Sequence, residues 1–266
     1  MEPKETKKHK TMKQFPISLA AFLIVILAGC SGRGTSKQNA VVETDTVIVP
    51  DTGYTGIKQY MSGNLKVKEV TFKNGVRQGL TKTFYQSGEL YQTFWYENDI
   101  REDTGRYYFK EGQIFRETPY KRDTIDGIQI QYYRGGQVRA KIGFSKGKRT
   151  PYLEEFNSNG KLFRDYPEIV VNVTDEYNSK GIYRIGLELS DKKTRVDFYR
   201  GEFINNMYDT SMYKAIKQVD GIARLDLKKS GKPGQNYVGI IASMLTPFGN
   251  RNLVYKRIEL PYNDLN

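Results

Sequence analysis

The chain of 266 residues holds one cysteine, one histidine and one tryptophan, with only nine prolines. The cysteine is Cys30 and the histidine is His9. A single thiol cannot close a disulfide within the chain, so stability must come from a packed core. A triad of the Ser/His/Asp or Cys/His kind needs a histidine beside its nucleophile, and zinc and copper sites depend mainly on histidine and cysteine ligands. Long apolar runs are also lacking. The longest, Phe15 to Gly29, is about fifteen residues and is broken by Pro16 and Ser18, whereas a helix needs about 20 to cross a bilayer. No glycine-rich phosphate loop follows a strand and opens a helix. Neither a cofactor nor a metal is expected.

What stands at the N-terminus has a direction. Lys4, Lys7, Lys8, Lys10 and Lys13 precede the apolar run, which ends in Leu27, Ala28, Gly29 and Cys30. A basic front, a short apolar middle and small residues before a boundary read as a secretory signal peptide over residues 1–29. The ending resembles the bacterial lipoprotein box. That resemblance implies cleavage before Cys30, a diacylglyceryl group on its sulfur, an acyl chain on the new amino terminus and anchorage in the membrane. Ser31 in place of Asp then favours the outer membrane. The mature chain of 237 residues would have a net charge of +9 in place of +12, no histidine and no free thiol. Residues 30–53 are small and polar and read as a tether, about 25 Å from end to end if flexible. "VVETDTVIV" within them has an edge strand as its alternative reading.

The next segment repeats. Phe84, Tyr108, Tyr132 and Phe156 recur every 24 residues, as do Gly88, Gly112, Gly136 and Gly160. Leu90, Ile114, Val138 and Leu162 follow the glycines by two. A further column, Phe72, Tyr96, Tyr120 and Phe144, precedes the turn pairs Asn74-Gly75, Asn98-Asp99, Arg122-Asp123 and Lys146-Gly147, and a last one runs Gly79, Asp103, Gly127, Pro151. Strand, glycine turn, strand and second turn make a β-hairpin written about four times over residues 54–166. The fold class expected is all-β: an elongated antiparallel sheet of repeated hairpins followed by a β-sandwich.

"TFYQSGEL", "YYFKEGQI", "QYYRGGQV" and "EFNSNGKL", with "FKNGVRQG" for the second half of the unit, resemble the longer bacterial variant of MORN-type repeats. The resemblance implies hairpins stacked side by side in a curved sheet, with membrane or protein partners, and related bacterial chains are described as antitoxin-like. The motif is structural and names no chemistry. Asp99, Asp123, Asp103 and Pro151 depart from it at glycine positions.

Neighbours along a strand point to opposite faces, so Phe84, Tyr108, Tyr132 and Phe156 must face away from Tyr85, Phe109, Tyr133 and Asn157. One column then packs as a stacked core. The other, Tyr85, Phe109 and Tyr133 with Arg134, Arg139 and Lys141 near it, is either partly covered or an open platform for a sugar or an extended peptide.

After about Asp165 the phase is lost. Residues 167–266 hold "EIVVNVTD", "IYRIGLELS", "TRVDFYR", "GIARLDLKK", "NYVGIIASML" and "LVYKRIELP", separated by turn residues. Their number and alternation suggest a sandwich of immunoglobulin-like architecture. "DTSMYKAIKQV" places Met212, Ile216 and Val219 at helical spacing and reads as one short helix crossing between the sheets. Glu154 and Glu155 with Asp165 are the nearest thing to a glycosidase carboxylate pair. "DEYNSKG", Asp175 to Gly181, matches a calcium loop only loosely and reads as a hairpin turn.

Residues 64–150 hold 17 Lys and Arg against 10 Asp and Glu. Export argues against nucleic acid as the partner of this basic array and leaves anionic envelope polymers or an envelope protein. A lipid-anchored, non-catalytic binding or scaffold protein is the first expectation. An envelope glycan enzyme working through carboxylates alone is the alternative.

Overall fold

The computed structural model describes residues 53–266. The expected signal peptide, Cys30, nearly all of the expected tether and the edge strand read in "VVETDTVIV" lie outside the described residues. The described chain falls within one compact unit.

Its first half is a single antiparallel sheet. The strands are β1 (Gly56–Ser62), β2 (Leu65–Lys73), β3 (Val76–Phe84), β4 (Leu90–Glu97), β5 (Ile100–Tyr108), β6 (Ile114–Lys121), the short β7 (Thr124–Ile125), β8 (Gly127–Tyr132), β9 (Val138–Ser145) and β10 (Lys148–Glu155). They lie side by side in chain order, with β7 pairing only β6. Turn chemistry explains this order. Asn74 and Gly75, Asn98 and Asp99, Arg122 and Asp123, and Lys146 and Gly147 all have positive φ. Two successive positive φ values define the tight hairpin turn whose twist matches that of the strands.

The acidic departures from glycine have their own support. The Asp99 carboxylate accepts from the Arg77 backbone N–H and Nε, both at 2.9 Å, and Asp123 repeats this with Arg101 at 3.0 and 2.9 Å. Aspartate tolerates the left-handed region better than most residues, and here it also ties one hairpin to the next. At the other turn the glycines are needed for their backbone: Gly88, Gly112, Gly136 and Gly160 have φ of 99°, 92°, 84° and 78°. A Cβ on Gly112 would meet nothing within 4 Å, so a substitution there tests φ alone. Gly112→Val is expected to cost about 1 kcal/mol or slightly more. That should lower the melting temperature by about 2–4 °C, read by circular dichroism, and an unchanged curve would contradict the turn assignment.

One face of this sheet is buried. Val70, Phe94, Thr118 and Ile142, again 24 apart, are all buried, and the rings of Phe94, Tyr107 and Tyr120 meet edge to face at 5.6–5.7 Å. Edge-to-face aromatic contact adds to the area buried, which lets a one-layer sheet hold a core of its own.

The second half packs two sheets. One orders β11 (Ile169–Glu176), β12 (Ile182–Leu189), β16 (Ile222–Lys228) and β15 (Gln218–Val219); the other orders β14 (Lys214–Ile216), β13 (Val196–Arg200), β17 (Tyr237–Leu245) and β18 (Arg251–Glu259). Strict alternation on β12 sends Tyr183, Ile185, Leu187 and Leu189 inward, where they share one core with Val196, Phe198, Ile240 and Met244 of the facing sheet. The "DEYNSKG" segment joins β11 to β12 through one helical turn, α1 (Tyr177–Lys180), closed by Gly181 in the left-handed region.

The helix expected over "DTSMYKAIKQV" is absent. Asp209 caps a single 3-10 turn, Thr210–Met212, by accepting from the Ser211 N–H, and the chain then extends as β14 and β15. Met212 and Val219 are exposed and only Ile216 is buried, so the apparent helical face is not a face. Pairing of Ile216 with Phe198 across β14 and β13 outweighed a weak local preference, as tertiary context routinely does. The segment does pass from one sheet to the other, as two short strands.

The halves meet where β10 approaches the β17–β18 turn. Glu155 is fully buried. Its Oε1 accepts from Thr246 Oγ1 at 2.8 Å and Asn250 Nδ2 at 2.7 Å, and its Oε2 from the Tyr166 hydroxyl at 3.1 Å. Arg149 adds two hydrogen bonds of 2.9 Å, to the carbonyls of Gly143 and Arg251. Phe163 meets Phe248 edge to face at 5.4 Å.

Candidate binding faces of the repeat sheet

Tyr85, Phe109 and Tyr133 sit at the glycine-turn ends of β3, β5 and β8, each donating its backbone N–H across the turn, to Glu89, Gln113 and Gln137. All three are half-buried, in keeping with the partly covered of the two readings. The Tyr85 hydroxyl donates to the Tyr108 carbonyl at 2.7 Å and Tyr133 to the Phe156 carbonyl at 2.8 Å, so each ties its hairpin to the next. The Tyr85 ring meets Tyr91 at 5.0 Å and Phe109 meets Phe115 at 5.3 Å. Burial pushes the Tyr85 hydroxyl up from its ordinary value.

The three cations expected beside this column are not brought together. Arg134 stacks over Phe109 at 4.7 Å and pairs with Glu111. Arg139 donates to the Phe248 carbonyl and belongs to the junction with the sandwich. Lys141 lies on the other face, paired with Glu154 at 3.2 Å and 5.5 Å from the centre of the Phe156 ring. The reason is the strand period of two: positions 139 and 141 share a face only while the strand is regular, and Arg139 is the residue left unpaired where β8 and β9 shift register between Gln131 and Tyr132.

The opposite face is organised in rows across the strands. Phe84, Tyr108 and Tyr132 stand at the ends of β3, β5 and β8. Tyr132 donates to Glu117 Oε2 at 2.6 Å, and burial followed by that carboxylate pushes its hydroxyl up to about 12. Next comes a ladder of ion pairs, Lys66–Glu69 at 2.8 Å, Arg106–Glu117 at 3.0 Å and Lys141–Glu154. The Lys66 ammonium holds the Glu69 carboxyl below its usual range.

Beyond the ladder lies an apolar row that sequence reasoning missed. Leu80 is 38% exposed, Trp95 42%, Ile128 42% and Tyr152 38%. Register places Leu80 directly opposite Trp95, Thr104 opposite Pro119 and Ile128 opposite Gly143. Ile57 extends the row onto β1. With strands about 4.8 Å apart, the row runs for about 40 Å. A signal was there: positions 80, 128 and 152 share the 24-residue period and hold large apolar residues. Threonine at 104 hid it.

Of the carboxylates named from the sequence, Glu154 and Glu155 do not converge. Glu154 faces Lys141 on the exposed side, whereas Glu155 points into the junction and is occupied by three donors. Among the described residues no cluster of three His, Cys, Asp or Glu side chains is placed to hold a metal ion, and no helix is long and apolar enough to cross a membrane. No protein-family model matches the chain, and comparison with curated proteins finds no significant match, so what the protein does is read from its own residues.

Proposed function

We propose that this is a lipid-anchored, non-catalytic binding or scaffold protein of the bacterial envelope, held in the outer membrane through Cys30 and engaging an envelope protein through the exposed face of its repeat sheet. The observation that carries this reading is the apolar row from Leu80 to Tyr152. Large apolar side chains held exposed in line across a sheet, here Leu80 beside Trp95 and Ile128 and Tyr152 beyond Thr104, are the kind of surface that marks an interaction site, and the aromatic core of this sheet lies on its other face. Trp and Tyr are favoured anchors at such sites. Anionic polymer as partner has weaker support, because Lys66, Arg106 and Lys141 already have carboxylate partners. MORN-like hairpins, the immunoglobulin-like strand order of the sandwich and the lipoprotein box all fit a display module. Glycan hydrolysis has less support, since Glu154 and Glu155 point to opposite faces.

The test uses the intact lipoprotein in its own membranes, with a photo-crosslinking residue at position 152. A discrete crosslinked species is expected, and Trp95→Asp should reduce it by about tenfold or more with the melting temperature unchanged. Cys30→Ala should abolish labelling by a palmitate analogue and leave the precursor uncleaved. Crosslinking that ignores Trp95→Asp would remove the face from consideration, and labelling that survives Cys30→Ala would remove the anchor.

A further inference from the structure

The sandwich has a cavity of about 360 Å³ beside β13, β14 and the start of β17, lined among others by Arg200, Glu202, Met212, Lys214, Gln235 and Tyr237. It is remote in sequence from the repeat face and independent of the reading above. Two features distinguish it from an ordinary surface dimple.

The first is charge. Register places Arg200 directly opposite Lys214 across β13 and β14. Like charges in that position repel, and a sheet normally relieves them with a carboxylate. Neither side chain has a carboxylate partner among the described residues. The nearby Glu202 is engaged instead by the Tyr255 hydroxyl at 2.8 Å, and Arg257 by Glu259 at 2.6 Å. The cavity therefore sets two cations side by side against one carboxylate, a net positive charge, and one of the cations is a guanidinium suited to gripping two oxygens at once.

The second is the floor, which glycine keeps open. The Gly201 N–H donates to the Gly239 carbonyl at 2.9 Å. A Cβ on Gly239 would lie 2.6 Å from the Gly201 oxygen and 2.8 Å from Glu202 Cγ, and one on Gly201 would lie 2.7 Å from the Tyr213 ring. No side chain fits at either place. The walls are Tyr237, with Arg257 stacked on it at 3.7 Å, and Met212, which is 60% exposed. The volume is in the range of small-molecule sites, where an apolar wall and a few polar groups fix one ligand.

We infer that this cavity binds a monosaccharide unit carrying an oxyanion, a carboxylate or a phosphate. The oxyanion sits between Arg200 and Lys214, the hydroxyls reach the remaining Glu202 oxygen and the Gln235 amide, and the carbon face lies against Tyr237 and Met212.

The experiment is calorimetric titration of the full mature chain in detergent with three probes: glucuronate, glucose 6-phosphate and glucose. At least one anionic sugar is expected to bind at millimolar concentration and glucose is not. Arg200→Gln and Lys214→Gln should each weaken that binding by about tenfold while leaving the melting temperature unchanged or slightly higher, since each removes a repulsion. Preference for glucuronate or for the phosphate assigns the oxyanion. No binding of either anionic sugar, equal binding of glucose, or indifference to both substitutions would overturn the site.

Discussion

Glu155→Ala is expected to lower the melting temperature by about 10 °C. The side chain is wholly buried and its oxygens accept from Thr246, Asn250 and Tyr166. Truncation removes the acceptor and strands three donors in a site closed to water, and breaking a buried charged network of this kind costs about 3–5 kcal/mol. In a domain of this size each kcal/mol shifts the midpoint by about 2–4 °C. Its neighbour supplies the contrast. Glu154 is partly exposed and paired with Lys141 at 3.2 Å, and such a pair contributes about 0–1 kcal/mol, so Glu154→Ala should leave the curve nearly in place. Thermal unfolding of the two variants side by side is the measurement. If Glu155→Ala melts within 2 °C of the parent, the buried carboxylate does not clamp β10 to the β17–β18 turn.

Gly105→Ala carries the second large effect. This glycine has no positive φ to maintain. Its hydrogen faces the buried side of the sheet, where an added Cβ would lie 2.5 Å from Phe94 Cε1, 2.7 Å from Phe94 Cδ1 and 3.0 Å from Tyr120 Cε2. Both rings belong to the edge-to-face cluster with Tyr107, so neither can withdraw without disturbing a further contact. Overpacking of this order costs about 1–3 kcal/mol, with valine worse than alanine. The loss should exceed that of Gly112→Val, where only backbone strain acts. The sole tryptophan, Trp95, follows Phe94 in the chain and gives a second readout, a shift of its fluorescence as the strand moves. Parent-like melting and fluorescence in Gly105→Ala would mean that the rings do not pack over this glycine.

The comparison of these two glycines shows what a repeat makes legible. Gly112 stands in a column of glycines, and a column at fixed spacing between strands already states a turn. Gly105 occupies a phase where other units have Thr81 and Gln129. Nothing in the chain marks it, because its importance lies in Phe94 and Tyr120 on neighbouring strands. Trp95 was hidden in a similar way. An aromatic in a strand is ordinarily read as core, and only the register with Leu80 puts it on the exposed side.

By itself the sequence determined the all-β class, the 24-residue hairpin period, the turn positions, the opposition of the Phe84 and Tyr85 columns and the change to a different strand pattern after Asp165. These rest on short-range physics: the period of two along a strand, and backbone angles that only a few residues adopt. The tertiary structure decided the rest. It put the Tyr85 and Tyr133 hydroxyls into bonds between hairpins, separated Arg134, Arg139 and Lys141, turned Glu155 into a clamp between halves and made strands of "DTSMYKAIKQV". Each of these depends on partners distant in the chain, or on a register shift that turns one side chain to the other face, and local pattern holds no information about which partner a side chain will meet.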